Sequence, residues 1–204
     1  IPRTSGCSTH RSSDGQTGPR AARDDATPGA RTQRRRRHGA AMVTTLFRLE
    51  PHPFDDASSP ALPRFDAAVA RRMGEIAVNL ASRRGLPIAV SIVGEQAPLF
   101  YCALDGSAAG DSEAIRRRQN TVLRFGLSSL AVGERFRRAG WSLQSQGLSD
   151  DDYALDGGGV PLRIAGAGIV GAMTIAGLDS ERNHALVVES LQWHVGRYAL
   201  AMHA

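Results

Sequence analysis

The chain contains two pairs of short β-rich runs, and a glycine-containing turn separates the two members of each pair. Residues 88–93 and 99–104 form the first pair, and residues 160–165 and 169–176 form the second. Such runs on either side of a short turn predict β-hairpins. Two hairpins in a chain of this length predict that an antiparallel sheet forms the centre of the fold.

Three stretches with helical periodicity surround the hairpins. Residues 64–84 carry apolar side chains at steps of three and four, and a second stretch begins at Asp111 and is divided at Gly126. A last helix is expected over residues 180–202. The order αββααββα predicts an α+β fold of the profilin or PAS kind, a two-layer arrangement in which the helices lie on one side of the antiparallel sheet.

The first 41 residues differ in composition from the rest of the chain. They contain nine arginines and three acidic residues with almost no large apolar side chains, so we expect residues 1–41 to form a disordered, arginine-rich tail. The run Arg34–Arg37 is typical of a nucleic-acid or anionic surface patch. The alternative, which we favour, is that Met42 is the natural start and that the tail is non-native upstream sequence.

Residues 42–63 contain four prolines and are expected to form an extended arm that leads into a domain over residues 64–204. The two cysteines, Cys7 and Cys102, do not make a disulfide framework. No apolar segment approaches the length of a membrane span. We therefore expect a cytoplasmic protein whose partners include neither nucleic acid nor a membrane.

A glycine motif in the second hairpin matches the G-x-G-x-x-G pattern of dinucleotide-binding sites. It reads Gly166-Ala-Gly168-Ile-Val-Gly171. In dinucleotide-binding proteins this pattern follows a strand and opens a helix. Here the glycines run into a strand-like sequence, so the motif predicts a hairpin turn and no nucleotide site.

Familiar catalytic and metal-binding motifs are absent from the sequence. There is no G-x-S-x-G, H-E-x-x-H or C-x-x-C pattern, so neither a hydrolytic serine nor a metal site is expected. His184 and His194 share the last helix, but ten residues of helical rise separate them by about 15 Å. Either could be an axial haem ligand, and the ordinary alternative is a histidine that faces solvent or is satisfied within the protein.

Polar residues cluster around the central helices and the triple glycine. Arg124 lies in sequence near Asn120 and a Ser-Ser pair, and it can bind a carboxylate or pair with the acidic run 150–152 at a helix end. The triple glycine at 157–159 can present N–H groups to an anion. Its alternative role is a tight turn before a strand.

Two sequence segments resemble an uncharacterised haem-degrading-domain-like family of the GlcG/HbpS/PduO-C-terminal superfamily. They are Gln-Asn-Thr-Val-Leu-Arg-Phe-Gly-Leu-Ser-Ser at 119–129, and Gly-Gly-Val-Pro at 158–161 with the glycine-spaced run at 168–177. The resemblance covers about residues 64–202. It implies an αββααββα domain that assembles into homo-oligomers, and some relatives bind haem or a corrinoid. Leu127 occupies a position that is often polar or basic in the family.

The residues and the resemblance together predict a homo-oligomeric domain that binds a small anionic ligand, with haem or a related tetrapyrrole as the leading candidate. Two alternatives stay open. One is an enzyme, either haem-degrading or using Asp151 or Asp152 as a base, and the other is a structural or chaperone-pathway interaction protein. The predicted ligand-binding residues are Asn120, Arg124, Ser128, Ser129, Gly158 and Gly159.

Overall fold

A computed structural model describes residues 59–95 and 97–202 of the 204-residue chain. The expected tail and residues 42–58 of the expected arm lie outside this part. At the end of the arm, Leu62 is buried and forms one parallel bridge with Ile164, and its N–H donates to the carbonyl oxygen of Arg163 at 2.7 Å. The arm therefore enters the domain along an edge of the sheet.

The predicted order of helices and strands is confirmed. The central helical stretch is divided at Gly126, which has a left-handed φ of 69° and ends the first of its two helices. None of the helices described is both long enough and apolar enough to cross a membrane. The elements are α1 (Ala67–Arg83), β1 (Ala89–Gly94), β2 (Pro98–Ala103), α2 (Asp111–Phe125), α3 (Ser129–Ala139), a 3-10 turn (Gln144–Gln146), β3 (Gly159–Ile164), β4 (Gly168–Ala176) and α4 (Ser180–Met202).

The four strands form one antiparallel sheet in the order β2-β1-β4-β3. Both predicted hairpins are present, and β1 pairs with β2 on one side and with β4 on the other, so Ala89 lies opposite both Ala103 and Ala176. The turn of the second hairpin contains Gly166 and Gly168 at φ values of 79° and 85°. Glycine adopts such values without strain, so the G-x-G-x-x-G segment is a hairpin turn.

Helices α1 and α4 cover one face of the sheet and enclose the main hydrophobic core. Alternate residues of a strand point to opposite faces, and Val90 and Ile92 of β1 point toward these two helices. Burying each large apolar side chain in such a core stabilises the fold by about 1.5–3 kcal/mol. Other buried members of the core include Met73 and Ala77 of α1, Met173 and Ile175 of β4, and Val187 and Leu191 of α4.

Helix α2 covers the opposite face, so the expectation that the helices lie on one side is wrong, although the α+β class and the antiparallel sheet are confirmed. The strand residues under α2 are small: Ala89 and Ala176 pack against Ile115. Beside them, Nε2 of Gln119 donates to Oγ of Ser91 at 2.9 Å. Because the strand residues beneath the first half of α2 are small, the alternation in the strands did not indicate a second covering helix.

Helix α3 builds a smaller apolar cluster with the segment that follows it. Phe136 is buried and packs edge-to-face against Phe125 at 5.7 Å and against Trp141 at 5.9 Å between ring centroids. Leu143 and Leu148 complete the cluster from the following segment. These contacts hold the chain between α3 and β3 against α2, and so they position the acidic residues and glycines of that segment.

Candidate ligand-binding site

Arg118 is a buried arginine in the middle of α2, with only 6% of its surface exposed. Its Nε donates to Oδ2 of Asp156 at 3.0 Å, and its Nη2 donates to the same carboxylate. Its Nη1 donates to the carbonyl oxygen of Ile175 at 3.2 Å. An arginine carries five N–H donors, so two of them are not used by these contacts.

The triple glycine makes room for this arginine. A Cβ atom on Gly158 would lie 2.5 Å from the carbonyl oxygen of Ile175, which is the acceptor of Arg118, and a Cβ on Gly159 would lie 3.3 Å from Cβ of Arg118. A Cβ on Gly159 would lie 2.8 Å from Cγ2 of Val122. Glycine at both positions therefore lets α2 approach the ends of β3 and β4 closely, and the guanidinium of Arg118 reaches the end of β4.

A cleft of about 260 Å³ opens beside Arg118. The first turns of α2 form one wall, and the ends of β1 and β4 with the loop before α2 form the others. Asp111 lies at the rim, and its Oδ2 accepts a hydrogen bond from the backbone N–H of Ala108 at 2.7 Å, which fixes the loop. The lining residues are Pro87, Gly106, Ala108, Asp111, Ala114, Arg118, Ala176, Gly177 and Leu178.

Sequence reasoning missed Arg118, because it stands in the run Arg116-Arg-Arg118 and such runs usually face solvent. The signal was the triple glycine, since three glycines before a strand indicate that another element approaches the backbone closely. The cleft itself is lined mostly by alanine and glycine, residue types that carry no chemical signal in a sequence.

Asn120 and Arg124 lie one turn apart on α2, next to the acidic segment and outside the cleft. Nδ2 of Asn120 donates to the carbonyl oxygen of Asp152 at 2.9 Å. Arg124 is exposed, and its guanidinium carbon lies 5.5 Å from the centroid of the Tyr153 ring and 5.9 Å from that of Phe125. These two predicted ligand residues thus form a polar and aromatic surface.

The other four predicted residues are buried in the joint between α3 and β3. Oγ of Ser128 accepts from the N–H of Ala131 at 3.2 Å and caps α3. Oγ of Ser129 accepts from the N–H of Gly159 at 3.0 Å. Gly158 accepts a hydrogen bond from the N–H of Ile175 at 2.8 Å. The six residues therefore fall into two groups, and Arg118 lies between the second group and the cleft.

The acidic run 150–152 pairs with arginines other than Arg124. Nη1 of Arg116 donates to Oδ1 of Asp152 at 3.1 Å, and Nη1 of Arg117 donates to the carbonyl oxygen of Asp150 at 3.2 Å. Hydrogen bonds with Glu113 and then with Asp152 raise the pKa of Arg116 above its ordinary value. The alternative of a pair between Arg124 and these acids is therefore wrong.

The two histidines of α4 differ in their surroundings. His184 is half-buried beside Gly157, where its Cβ would lie 3.1 Å from a Cβ on that glycine. His194 is buried, and burial first and the nearby Arg72 second hold its pKa below the ordinary value. No group of three side chains suited to hold a metal ion occurs within residues 59–95 and 97–202.

Residues 65–192 match the protein family described as haem degrading protein HbpS-like. The chain belongs to the HbpS-like family. It is also 42% identical over 136 residues to a UPF0303 protein of Burkholderia ambifaria, spanning 66% of this chain and 82% of that protein. A UPF0303 protein of Zymomonas mobilis is 38% identical over 136 residues, which span 66% of this chain and 73% of that protein.

Solved structures share the fold of this HbpS-like chain. The Ybr137w protein superposes with a TM-score of 0.62 at 26% identity, covering 68% of this chain and 82% of that one. HbpS superposes with a TM-score of 0.52 at 17% identity over 65% of this chain and 91% of its own. A PduOC:haem complex superposes with a TM-score of 0.54 at 18% identity, covering 65% and 94%.

The cleft does not fit a whole haem, the group that the family name implies. Drug-sized ligands occupy pockets of roughly 300–1,000 Å³, and this cleft holds about 260 Å³. Among the described residues that line it there is no histidine, cysteine, methionine or tyrosine to bind iron. The polar groups that line it, the guanidinium of Arg118 and the carboxylate of Asp111, suit a small polar molecule.

Proposed function

We propose that the domain binds a small molecule that carries a carboxylate, and that it does so in the Arg118 cleft. The supporting observation is a buried guanidinium beside a cleft, with two N–H donors left over after its bonds to Asp156 and Ile175. A guanidinium in a poorly hydrated position binds a carboxylate in a fixed orientation. Asp111, two turns before Arg118 on α2, also lines the cleft and suits a hydrogen-bond donor on the same ligand, such as a hydroxyl or amino group.

Haem or a related tetrapyrrole is the first ligand to test. The family name and the fold shared with the PduOC protein, which was solved as a complex with haem, support this choice. The cleft has room for one carboxylate group of such a ligand and not for its ring. We therefore propose that a small carboxylate is the better match to the cleft.

The residues predicted from the sequence have two different roles in this proposal. Gly158 and Gly159 act indirectly, because they let Arg118 reach the cleft. Asn120 and Arg124 form a separate exposed surface, where the aromatic contacts of Arg124 could hold the flat face of a ring. A comparison of variants in the cleft with variants on the Arg124 surface shows which of the two sites binds the ligand.

We further propose a homo-oligomer in the cytoplasm. The resemblance of the sequence to its superfamily supports self-association, and the two cysteines, which do not form a disulfide framework, agree with a reducing compartment.

The test is a titration of the purified full chain with haemin, followed at the Soret band, and a calorimetric titration with succinate and lactate. Both are made on wild type, Ala114→Leu and Arg124→Ala. Leucine at position 114 narrows the cleft without changing any charge. Arg124→Ala removes the exposed cation while the cleft stays unchanged.

We expect saturable binding of a small carboxylate by wild type and by Arg124→Ala, with at least a tenfold weaker affinity in Ala114→Leu. Loss of binding only in Arg124→Ala would place the ligand at the exposed surface predicted from the sequence. Equal weak responses in all three proteins would contradict the proposed function.

The haem-degrading family name favours an enzyme as the second candidate function. The same haemin titration tests it when hydrogen peroxide is added to the saturated protein. A protein-dependent decay of the Soret band that is lost in one of the two variants would show turnover at that site. A Soret band that stays stable would indicate a domain that binds haem and does not degrade it.

A further inference from the structure

The outer face of α4 exposes large apolar side chains that nothing in the described chain covers. Trp193 has 54% of its surface exposed and Leu200 has 75%. Around them is a shallow cavity of about 340 Å³, lined by Glu189, Gln192, Trp193, Gly196, Arg197 and Leu200. We call this set the α4 face. Exposed tryptophan is enriched at the centres of protein interfaces, where its large surface is buried by the partner.

Trp193 lies beside a fixed ion pair. It lies one turn of α4 after Glu189, whose carboxylate accepts hydrogen bonds from the two terminal nitrogens of Arg84 at 2.6 and 2.7 Å. A side chain that is already ordered loses little conformational entropy on binding. The Glu189–Arg84 pair beside the tryptophan is therefore preorganised for a contact with another surface.

The charges of the α4 face are self-complementary. Glu189 and Arg197 lie four residues before and four residues after Trp193, so all three share one face of the helix and the charges are about 12 Å apart along it. Gly196 meets no atom within 4 Å where its Cβ would be, so this part of the helix is open to a close approach. Within residues 59–95 and 97–202, Arg197 has no acidic partner.

We propose that the α4 face binds the same face of a second copy of this chain, with the two helices antiparallel and related by a two-fold axis at Trp193. In that arrangement Glu189 of one protomer lies opposite Arg197 of its partner, twice, and the two Trp193 rings meet between the ion pairs. A carboxylate accepts several hydrogen bonds, so Glu189 can keep Arg84 and accept the partner's arginine. This inference rests on the self-association included in the proposed function and assigns its surface.

The pattern allows a test by paired charge reversal in the full chain. Glu189→Arg and Arg197→Glu each place like charges opposite one another at both contacts of a homodimer. A mixed dimer of the two variants has opposite charges at both contacts. Arg137→Glu, on the exposed surface of α3, makes the same charge change away from the face and is the matched control. Trp193→Ala tests the apolar contact without changing charge.

Sedimentation velocity over a range of concentrations measures the outcome, and circular dichroism checks that each variant is folded. We expect wild type and Arg137→Glu to share one assembly state. Glu189→Arg, Arg197→Glu and Trp193→Ala should each form a smaller species or associate at least tenfold more weakly, and an equimolar mixture of the two charge variants should regain the wild-type size.

Three results would overturn the inference. A monomeric wild-type protein would contradict both the proposed α4 contact and the proposed self-association. Wild-type assembly in Trp193→Ala and in the charge variants would leave the self-association standing and assign it to another surface. Weakened assembly that mixing does not restore would show damage to the helix and no paired contact. Carboxylate binding at the cleft, measured separately, is independent of all three.

Discussion

Nη1 of Arg118 donates a hydrogen bond to the carbonyl oxygen of Ile175 at 3.2 Å, so the charged end of a buried side chain on α2 is anchored to the backbone of β4. The same guanidinium is neutralised by Asp156, whose side chain is 46% exposed. This contact joins the helix to the sheet at the wall of the cleft. The stability of the fold and the shape of the cleft therefore depend on the same three groups.

Asp156→Asn should lower the free energy of unfolding by about 1–3 kcal/mol. The substitution keeps the shape of the side chain and leaves the buried guanidinium without a counter-charge, and the partial exposure of Asp156 limits the loss. Urea denaturation at neutral pH measures it. Asp151→Asn, at an exposed acid of the neighbouring segment, is the control and should change stability by less than about 0.5 kcal/mol. Equal effects would mean that Arg118 does not need this carboxylate.

Gly158→Ala should destabilise the fold by about 2–4 kcal/mol more than Gly166→Ala. Both glycines have positive φ, 126° and 79°, so both substitutions strain the backbone. Only at Gly158 would the new Cβ meet an atom, the carbonyl oxygen of Ile175 at 2.5 Å, whereas Gly166 has open space. Thermal unfolding of the two variants isolates the contribution of close packing. Similar melting temperatures for the two variants would contradict the expected effect of close packing at Gly158.

Ser129→Ala should lower stability by about 1–3 kcal/mol. The buried hydroxyl accepts from the N–H of Gly159 at 3.0 Å, and its loss leaves that donor buried without a partner. Ser112→Ala removes an exposed hydroxyl whose contact with Ala109 is 3.4 Å long, and it should have little effect. Denaturant midpoints of the two variants provide the comparison, and a neutral Ser129→Ala would show that water or another group replaces the hydroxyl.

His194 should make the fold less stable as the pH falls below about 6.5. Burial holds its pKa below the ordinary value, with Arg72 acting in the same direction, so the unfolded chain binds a proton that the folded chain does not. The stabilisation is complete above the unfolded pKa and is lost progressively as the pH falls toward the folded pKa. Urea midpoints from pH 7.5 to pH 5 measure this slope. His194→Gln should show a shallower one, and parallel curves for the two proteins would exclude His194 as the source.

The sequence was sufficient for the element order, because hairpins and amphipathic helices each carry a period that can be read directly. It was not sufficient for the layers. The strand residues under α2, such as Ser91 and Ala176, are small, and a helix lying on small residues leaves no apolar alternation to detect. The second covering helix was therefore visible only once the strands were paired.

The candidate site was less predictable than the fold. Whether an arginine in a charged run is buried depends on what faces it, and Arg118 differs from Arg116 only in pointing toward the sheet. Ser129 and Gly159 were both predicted to bind the ligand, and in the structure they hydrogen-bond to each other. Their part in ligand binding stays a prediction, since the contacts they make are with the protein itself.

The residues around this cleft differ in how well they tolerate substitution, and the triple glycine marks the intolerant part. Where α2 touches the sheet, at Gly158 and Gly159, almost any larger residue collides with backbone or with Val122. At the rim, Ala108 and Ala114 border open space. Residues at the rim can therefore be exchanged among related proteins at little cost to the fold, while substitutions of the two glycines that support the arginine disturb the packing of α2 on the sheet.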